Sequence, residues 1–370
     1  MADGQKERLQ RTVMEMEAYK TRADSFLQEY LDDRIQTLVK ADILLGKELG
    51  EAVKKSILSG GKRMRAAFVY YGYRAVGGDN EVKINYASAS IEILHSFFLI
   101  HDDVIDRSDL RRWKPTVHKM YRQIYEDKGM LGGLNDPGKE HFASSAAIMA
   151  GDVCCALAYE ALFESGFEAR KTIEALKMMQ KTVMLTGIGE MIDIIKPLAK
   201  TVTEQEVLHM YYLKTALYTV EAPLLLGAIL HGAKAEIKES LSGYGSPVGI
   251  AFQIHDDILG IFGSEEEQGK PVGSDIKEGK QTLLTVKAFE KASPAQKKKM
   301  ESTLGNADIA DQEIKEFREI IESTGSLDYS RKTEEALVSK GKEALDGVPI
   351  REDFKDILLG MADYIIERQG

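Results

Sequence analysis

The residues best suited to chemistry are the carboxylates of the hexapeptide His-Asp-Asp-Val-Ile-Asp at positions 101–106. Asp102 and Asp106 are four residues apart, so on a helix they share one face, separated by about 6 Å of rise. Carboxylates held this close repel each other unless a cation lies between them. An acidic triplet on a helix is more often a solvated face, but here the surroundings are apolar and Arg111 and Arg112 follow. We therefore interpret the hexapeptide as a metal clamp beside an anion site.

A second acidic cluster, His255-Asp256-Asp257, lies in another apolar segment. Mg²⁺ is typically held by one or two carboxylates, waters and substrate phosphates. Two acidic helices facing one cavity could hold several such ions against one polyphosphate. The glycine- and lysine-rich segment 269–280 follows, and Lys270 and Lys280 would add positive charge. Taken alone, a lysine- and glycine-rich segment is usually a solvated loop, but next to Asp256 and Asp257 a functional interpretation is about equally supported.

A third candidate is the run Gly-Gly-Lys-Arg-Met-Arg at positions 60–65, which stands at a predicted helix start. Glycines permit a close backbone approach, and a helix N-terminus with three cations favours an anion. The run lacks the Gly-x-x-x-x-Gly-Lys-Ser/Thr pattern of a phosphate-binding P-loop. By itself it is weak evidence for phosphate binding.

Composition bounds the class of protein that positions these residues. The chain has 370 residues, 44% of them hydrophobic, and a formal net charge of −10, which argues against a nucleic-acid-binding protein. The N-terminal segment lacks a signal-peptide pattern and no apolar run reaches about 18 residues. We expect a soluble cytoplasmic protein without a membrane span. The adjacent Cys154 and Cys155 are expected to be reduced thiols.

The fold is predicted to be all-α, because apolar residues recur at three- and four-residue spacing and strand alternation is scarce. No break resembles a domain linker, so we predict one helical domain over residues 1–370. The polar, glycine-rich segment 126–140 is predicted to be a surface loop insertion. The predicted helices are Glu7–Val39, Asn85–Ile105, Phe142–Ser165, Glu168–Thr186, Glu204–Leu230 and Ile237–Phe262.

Together these motifs resemble the trans-isoprenyl diphosphate synthases, the family of farnesyl and geranylgeranyl diphosphate synthases. The likeness runs from about Gly60 to Lys280 and implies a helical bundle of the isoprenoid synthase type, with a central cavity lined by two aspartate-rich helices. The matching positions are the basic run 60–65, Asp102, Asp103, Asp106, Arg111, Arg112, the segment 114–118, Gly151, Asp152, Lys214, Thr215, Phe252, Gln253, Asp256, Asp257, Lys270 and Lys280.

The resemblance implies a role for each matching residue. The diphosphate of isopentenyl diphosphate would bind to Lys62, Arg65, His95 and Arg112. Three Mg²⁺ ions bridging the allylic diphosphate would be ligated by Asp102, Asp106 and Asp256. That diphosphate would be neutralised by Arg111, Lys214 and Lys270, and Lys280 is also expected to bind substrate. Thr215 and Gln253 would lie beside the developing allylic cation, and the departing pyrophosphate is the expected proton acceptor. The resemblance also implies a homodimer.

Two positions depart from the family pattern. Gly260 stands where the second motif usually has a third aspartate, so we expect reduced metal affinity rather than inactivity. Glu190 stands where many members have glutamine, and Asp193 follows three residues later. Asp193 is equally well interpreted as facing the cavity or as an edge carboxylate.

Product length is predicted from Phe97 and Phe98, the fifth and fourth residues before Asp102. Phe98 lies one turn from Asp102 on the same face, where its ring could form the floor of a product pocket. Phe97 points roughly 140° away and could flank that pocket or pack in the core. Bulky residues here are similar to those of eukaryotic farnesyl enzymes, so we predict farnesyl diphosphate as the product, with geranylgeranyl diphosphate as the alternative.

Two other classes of protein share part of this pattern. A class I terpene cyclase would share the fold and the first motif, but it would carry an Asn/Ser/Glu metal motif and lack the basic run. A catalytically silent, synthase-like partner subunit is disfavoured by the intact Lys62, Asp102, Asp106 and Lys214.

Overall fold

The computed structural model describes residues 3–199, 201–263 and 273–368. The prediction of an all-α fold is confirmed: within these residues the only strands are β1 (Leu110–Arg111) and β2 (Lys114–Pro115), an antiparallel pair in which Leu110 faces Pro115. The helices are α1 (Asp3–Ala41), α2 (Ile43–Ile57), α3 (Met64–Ala75), α4 (Glu81–Ile105), α5 (Val117–Asp127), α6 (Asp136–Glu164), α7 (Ala169–Ile195), α8 (Glu204–Tyr211), α9 (Ala222–His231), α10 (Ala235–Phe262), α11 (Ser274–Lys277), α12 (Leu283–Lys291), α13 (Pro294–Thr303), α14 (Asp311–Ser323), α15 (Ser326–Glu343) and α16 (Glu352–Glu367), with a 3₁₀ turn at Lys196–Leu198 and a π-helix at Tyr212–Glu221.

Helix boundaries follow local capping. Asn80 begins α4 because its side-chain oxygen accepts a hydrogen bond from the backbone N–H of Lys83 at 3.0 Å. Asn135 does the same for α6 with Gly138 at 2.9 Å, and Pro137 fits the first turn. The connection between α5 and α6 is therefore residues 128–135, shorter than the predicted segment 126–140, whose ends are helical.

The predicted single helix Glu204–Leu230 is divided by the π-helix Tyr212–Glu221. Pro223 stands just after this segment. Proline has no N–H to donate to the carbonyl four residues earlier, and its ring crowds that carbonyl, so the preceding turn widens. The wide turn carries Lys214 and Thr215, two of the predicted site residues.

The chain forms two compact units. The first unit comprises residues 15–70 and 80–172, and in it α4 and α5 pack against α6 and α2 lies beside all three. The second unit comprises residues 1–14, 71–79 and 173–370, and in it α10 packs against the π-helix, α9, α15 and α16. Its core includes Ile254, Ile258 and Phe317. The first acidic motif belongs to the first unit and the second acidic motif to the second.

In the part of the chain that the structure describes, two helical stretches are long and apolar enough to cross a membrane by length and composition, Asp136–Glu164 and Glu204–His231. The core helix of a soluble protein passes the same test, and 83% of the apolar window in Glu204–His231 is buried inside its protein surroundings. The corresponding share for Asp136–Glu164 is 44%.

Candidate active site

The first acidic motif lies at the end of α4. Asp102 and Asp106 are one turn apart as predicted, and Asp106 caps the helix with its N–H donating to the Asp102 carbonyl at 2.8 Å. The Arg111 guanidinium donates from Nε to Asp103 Oδ1 at 2.7 Å and from Nη2 to Asp102 Oδ2 at 3.0 Å. The side chain of Asp103 is 6% exposed and that of Asp102 is 23% exposed. Asp103 is thus an internal anchor, while Asp102 keeps an open side.

Burial raises the pKa of Asp103 to about 6, and the Arg111 guanidinium opposes this rise. A cation beside a buried carboxylate favours its charged form. The predicted cation Arg111 therefore holds the first motif together as well as standing beside it.

The turn after α4 aims Arg112 at the basic run. Arg107, Arg112 and Trp113 all have left-handed backbone angles, with φ between 52° and 59°, which is a costly conformation for residues other than glycine. Arg112 Nη1 donates to the carbonyl of Gly60 and, at 3.3 Å, to Ser59 Oγ. A Cβ on Gly61 would lie 2.7 Å from Arg112 Nη2. The second glycine of the run is therefore needed for this close approach.

The basic run divides into one internal arginine and two more accessible cations. Arg63 is buried, and its guanidinium donates to Asp24 at 2.6 Å and to Glu92 at 3.3 Å. Lys62 and Arg65 are only partly buried. Of the three cations predicted from sequence, Arg63 is structural, and Lys62 and Arg65 keep partly open side chains.

His95 lies on α4 among these cations. Burial and the guanidiniums of Arg65 and Arg112 lower the pKa of His95 well below its usual range. The same crowding, with burial as the larger cause, lowers the pKa of Arg112 to about 10. The first unit thus brings together Arg65, His95 and Arg112, which the sequence placed at one diphosphate, and their mutual repulsion favours an anion there.

The second acidic motif is on α10. Asp256 is 39% exposed, and its carboxylate accepts a hydrogen bond from the Arg368 guanidinium. Arg368 is itself 8% exposed, lies 4.2 Å from the centroid of the Phe252 ring, and accepts at its carbonyl from His255 Nε2 at 2.9 Å. The predicted metal ligand Asp256 is thus paired with a cation from the residue that follows α16.

Asp257 points into the protein. It is buried, and it accepts hydrogen bonds from the Tyr211 hydroxyl and, at 2.8 Å, from Gln253 Nε2. Gln253 Oε1 in turn accepts from Thr215 Oγ1 at 2.6 Å. The structure therefore brings together Thr215 and Gln253, as predicted, and joins them to the second motif.

Lys214 is held by two carboxylates of α7. Its Nζ lies 2.6 Å from Asp193 Oδ2 and 3.1 Å from Glu190 Oε2. A Cβ on Gly189 would overlap the backbone of Lys214, so this glycine lets α7 and the π-helix meet backbone to backbone. Glu190, which departs from the family pattern, and Asp193 thus both contact the predicted substrate lysine.

Gly260 replaces the third aspartate of the family motif, and a different carboxylate lies beside it. Asp275 is buried, and its carboxylate occupies the space that a Cβ on Gly260 would take. Lys280 lies 2.8 Å from Glu278 and 3.9 Å from Asp275. The predicted Lys270 lies outside the described residues.

Phe97 and Phe98 pack on each other and are both partly buried. Their ring centroids are 5.0 Å apart, and the Phe97 ring lies 4.7 Å from that of His101. His101 also contacts α6, where its Nε2 lies 3.2 Å from the Ile148 carbonyl and 3.7 Å from Asp152. Phe97 is thus a packing partner within the first motif, and Phe98 lies one turn before Asp102.

Among the described residues, no group of three or more His, Cys, Asp and Glu side chains could hold a metal ion alone. The carboxylates within each unit fit Mg²⁺ nonetheless, because this ion accepts one or two carboxylates and completes its shell with water and substrate phosphates. The first unit offers Asp102 and Asp106 and the second unit offers Asp256, and Asp102 and Asp256 are partly exposed.

Sequence reasoning missed Tyr211, Asp275 and Arg368. Tyr211 resembles any aromatic residue of an apolar helix, and Arg368 is far from the motif in sequence. Asp275 carried a signal: it stands within the segment 269–280, five residues before Lys280.

Solved structures share this architecture. A geranylgeranyl pyrophosphate synthase from Corynebacterium glutamicum, complexed with isoprenyl diphosphate and magnesium, superimposes with a TM-score of 0.88 at 29% identity, covering 94% of this chain and 98% of that one. A geranylgeranyl pyrophosphate synthetase from Pyrococcus horikoshii has a TM-score of 0.77 at 30% identity, covering 95% and 99% of the two chains. The fold is that of the isoprenoid synthases.

The sequence comparisons give the family. Residues 46–321 match the Polyprenyl synthetase family, and the chain belongs to it. A short chain isoprenyl diphosphate synthase from Methanothermobacter thermautotrophicus is 35% identical, covering 92% of this chain and 96% of the relative. A geranylgeranyl diphosphate synthase from Saccharolobus solfataricus is 34% identical, covering 91% and 94%.

Proposed function

We propose that this protein condenses isopentenyl diphosphate with an allylic diphosphate, dimethylallyl or geranyl, as a short-chain trans-prenyltransferase. The observation that carries the proposal is the first unit's pairing of Asp102 and Asp106 with a cluster of cations. Two facing carboxylates suit a metal-bound diphosphate, and crowded arginines beside a neutral histidine suit a second one.

Isopentenyl diphosphate binds to Lys62, Arg65, His95 and Arg112 in this proposal. The guanidiniums of Arg65 and Arg112 provide paired donors for phosphate oxygens. His95, kept neutral by its surroundings, offers one ring N–H without adding to the repulsion. Bound diphosphate would relieve the mutual repulsion of these cations, which supports tight binding.

The allylic diphosphate is bound through Asp102, Asp106 and Asp256, which would hold three Mg²⁺ ions. These ions would supply neutralisation of the leaving pyrophosphate. Lys214 and Arg111 add positive charge on the protein's side. Arg111 contacts Asp102 and Lys214 contacts Asp193, and in this proposal both cations also contact the phosphate oxygens. Lys270 and Lys280 complete the proposed cation set.

Ionisation breaks the allylic C–O bond and leaves a carbocation. Thr215 donates its hydroxyl hydrogen to Gln253, so the lone pairs of the threonine oxygen stay available to the cation. Neither side chain is a nucleophile strong enough to trap it. Isopentenyl diphosphate then attacks the cation, and a proton is transferred to the departing pyrophosphate.

The test is an assay with dimethylallyl diphosphate, isopentenyl diphosphate and Mg²⁺. We expect pyrophosphate release coupled to prenyl diphosphate products, and loss of both in the Lys62→Ala/Arg112→Ala double variant. A silent partner subunit would release no pyrophosphate at saturating metal. A cyclase would consume allylic diphosphate without isopentenyl diphosphate. Either result would refute the proposal.

Geranylgeranyl diphosphate is our first candidate for the product. It rests on relatives of 34% and 35% identity that are named geranylgeranyl diphosphate synthases. Farnesyl diphosphate, the product predicted from sequence, is the second candidate and is favoured by the adjacent rings of Phe97 and Phe98. The names of these two relatives do not support farnesyl specificity.

Product chromatography separates the two candidates. The wild type should yield geranylgeranyl diphosphate, and Phe98→Ala should then lengthen the product if the ring limits the pocket. A farnesyl product that lengthens in Phe97→Ala/Phe98→Ala would establish the second candidate instead. Unchanged length in the double variant would remove the aromatic pair from any role in chain-length control.

We also propose a homodimer. The α7 helix exposes Met184, Ile188, Met191 and Ile195, which recur at helical spacing on one face. Exposed apolar stripes of this kind mark association surfaces. Light scattering should give twice the chain mass of 41.2 kDa, and Ile188→Asp should shift it to the monomer. A monomeric wild type would contradict this.

A further inference from the structure

Tyr211, a residue outside every sequence motif, forms a hydrogen bond with the buried aspartate of the second acidic motif. Its hydroxyl donates to Asp257 Oδ2 and accepts from the backbone N–H of Leu283 at 2.8 Å. Leu283 is the first residue of α12, so its N–H has no partner within that helix. One hydroxyl therefore serves a helix start and a buried carboxylate at once.

The other oxygen of Asp257 determines the orientation of Gln253. Oδ1 accepts a hydrogen bond at 2.8 Å from the Gln253 amide nitrogen, which is the donor end of that amide. The amide oxygen consequently points to Thr215, which donates to it at 2.6 Å. Gln253 and Asp257 are one helical turn apart on α10, so they share a face. The direction of each hydrogen bond is therefore fixed: Tyr211 and Gln253 donate to Asp257, and Thr215 donates to Gln253.

We propose that Tyr211 is a positioning residue for prenyl transfer: through Asp257 it keeps the oxygen end of the Gln253 amide, and the lone pairs of Thr215, directed toward the allylic cation. This rests on the proposed function. A flipped Gln253 amide would present its N–H groups, the positive end of its dipole, and would oppose the developing charge. Fixed dipoles aimed at developing charge are a principal source of enzymatic rate enhancement.

The matched control is Tyr244. It is also fully buried in the second unit, and its hydroxyl donates to a backbone carbonyl, that of Leu358, at 2.6 Å. Tyr211→Phe and Tyr244→Phe therefore delete the same atom from the same kind of environment. Both should lower the thermal unfolding midpoint, but only Tyr211→Phe should lower kcat. Removing a dipole that acts directly on the developing charge lowers kcat by about 10²- to 10³-fold, so the indirect effect of Tyr211→Phe should be smaller, about tenfold. The KM for isopentenyl diphosphate should stay unchanged.

A double-mutant cycle tests the route. If Tyr211 acts through Gln253 on Thr215, then Tyr211→Phe and Thr215→Val should be strongly non-additive in kcat. Additive effects would overturn the proposal, and so would equal kcat values in Tyr211→Phe and Tyr244→Phe.

A spectroscopic measurement that needs no catalytic turnover tests the positioning role of Tyr211 separately from the proposed function. With ¹⁵N-labelled glutamine, the Gln253 side-chain amide signal, assigned from its absence in Gln253→Ala, should shift in Tyr211→Phe and not in Tyr244→Phe. An inactive wild type would refute the proposed function while the amide signal still decided the positioning. An unmoved signal in Tyr211→Phe would refute the positioning role, even in an active enzyme.

Discussion

The two acidic motifs use adjacent aspartates for different purposes. In each, the first aspartate is the more exposed, 23% for Asp102 and 39% for Asp256. The next one, Asp103 or Asp257, is buried and hydrogen-bonded to protein side chains. A helix turns about 100° per residue, so neighbours in sequence must face different ways. One carboxylate is available to a ligand and the other anchors its helix.

The two motifs differ in the groups that form hydrogen bonds with the buried aspartate. Asp103 is held by the cation Arg111, and burial raises its pKa only to about 6. Asp257 is held by the neutral donors Tyr211 and Gln253, and burial with the nearby Asp275 carboxylate raises its pKa to about 8. A cation opposes the cost of burying a carboxylate more effectively than neutral donors do. The first motif is therefore electrostatically anchored, and the second is anchored by hydrogen bonds.

The largest predicted effect is a loss of kcat that distinguishes the exposed Asp102 from the buried Asp103. Asp102→Asn should lower kcat by about 10³-fold, because the proposed Mg²⁺ site loses a carboxylate ligand and the charge that develops on the leaving pyrophosphate is then less stabilised. Asp103→Asn should lower kcat much less and instead reduce the free energy of unfolding, by about 1–3 kcal/mol for a disrupted buried hydrogen-bond partner. Steady-state kinetics and urea unfolding measure the two quantities.

The same substitutions in the second motif provide the control. Asp256→Asn should lower kcat and leave the unfolding midpoint nearly unchanged. If Asp103→Asn lost as much activity as Asp102→Asn at unchanged stability, the division into ligand and anchor would be wrong.

The next effect concerns the cations. Arg111→Gln leaves Asp103 buried without its charged partner, and we expect a loss of about 2–3 kcal/mol in the free energy of unfolding, below the full cost of breaking a buried pair because Arg111 is partly exposed. Arg368→Gln leaves Asp256, which is 39% exposed, in contact with water. The lost ion pair should therefore cost less than about 1 kcal/mol, apart from the lost contact of Arg368 with the Phe252 ring. Urea denaturation of the two variants compares them directly. Equal losses would show that burial does not distinguish the two carboxylates.

Sequence spacing anticipated much of this arrangement and could not supply the rest. The four-residue interval of Asp102 and Asp106 lies within one helix, so periodicity was sufficient. The pairing of Thr215 with Gln253 was expected only from the family. The contacts of Asp257 with Tyr211, of Asp256 with Arg368 and of Lys214 with Asp193 join distant segments. Such contacts depend on tertiary packing, which local patterns do not encode.

A smaller effect probes the space at Gly260. A Cβ there would overlap the Asp275 carboxylate, so Gly260→Ala should displace Asp275 and reduce the free energy of unfolding by about 1–3 kcal/mol, the usual cost of overpacking. Gly4→Ala in the first turn of α1 is the control, because its Cβ would meet nothing within 4 Å and should not lower the free energy of unfolding. Thermal unfolding of both variants decides. A stabilising Gly260→Ala would show that Asp275 does not need this space.

The smallest effect tests the positive field around the first motif through pH. Burial and nearby arginines lower the pKa of His95 well below its usual 6.5, so below pH 6.5 the unfolded chain binds a proton that the folded protein does not. The stability due to neutral His95 is present above pH 6.5 and is lost as the pH falls. Between pH 6.5 and 5.5 the wild type should lose about 1 kcal/mol more of its free energy of unfolding than His95→Gln does. Urea denaturation at the two pH values gives that difference, since every other titrating group is common to both proteins. Parallel pH profiles would mean that the pKa of His95 is not lowered in the folded protein, and the contrast between a cation-rich first motif and a hydrogen-bonded second motif would lose its electrostatic basis.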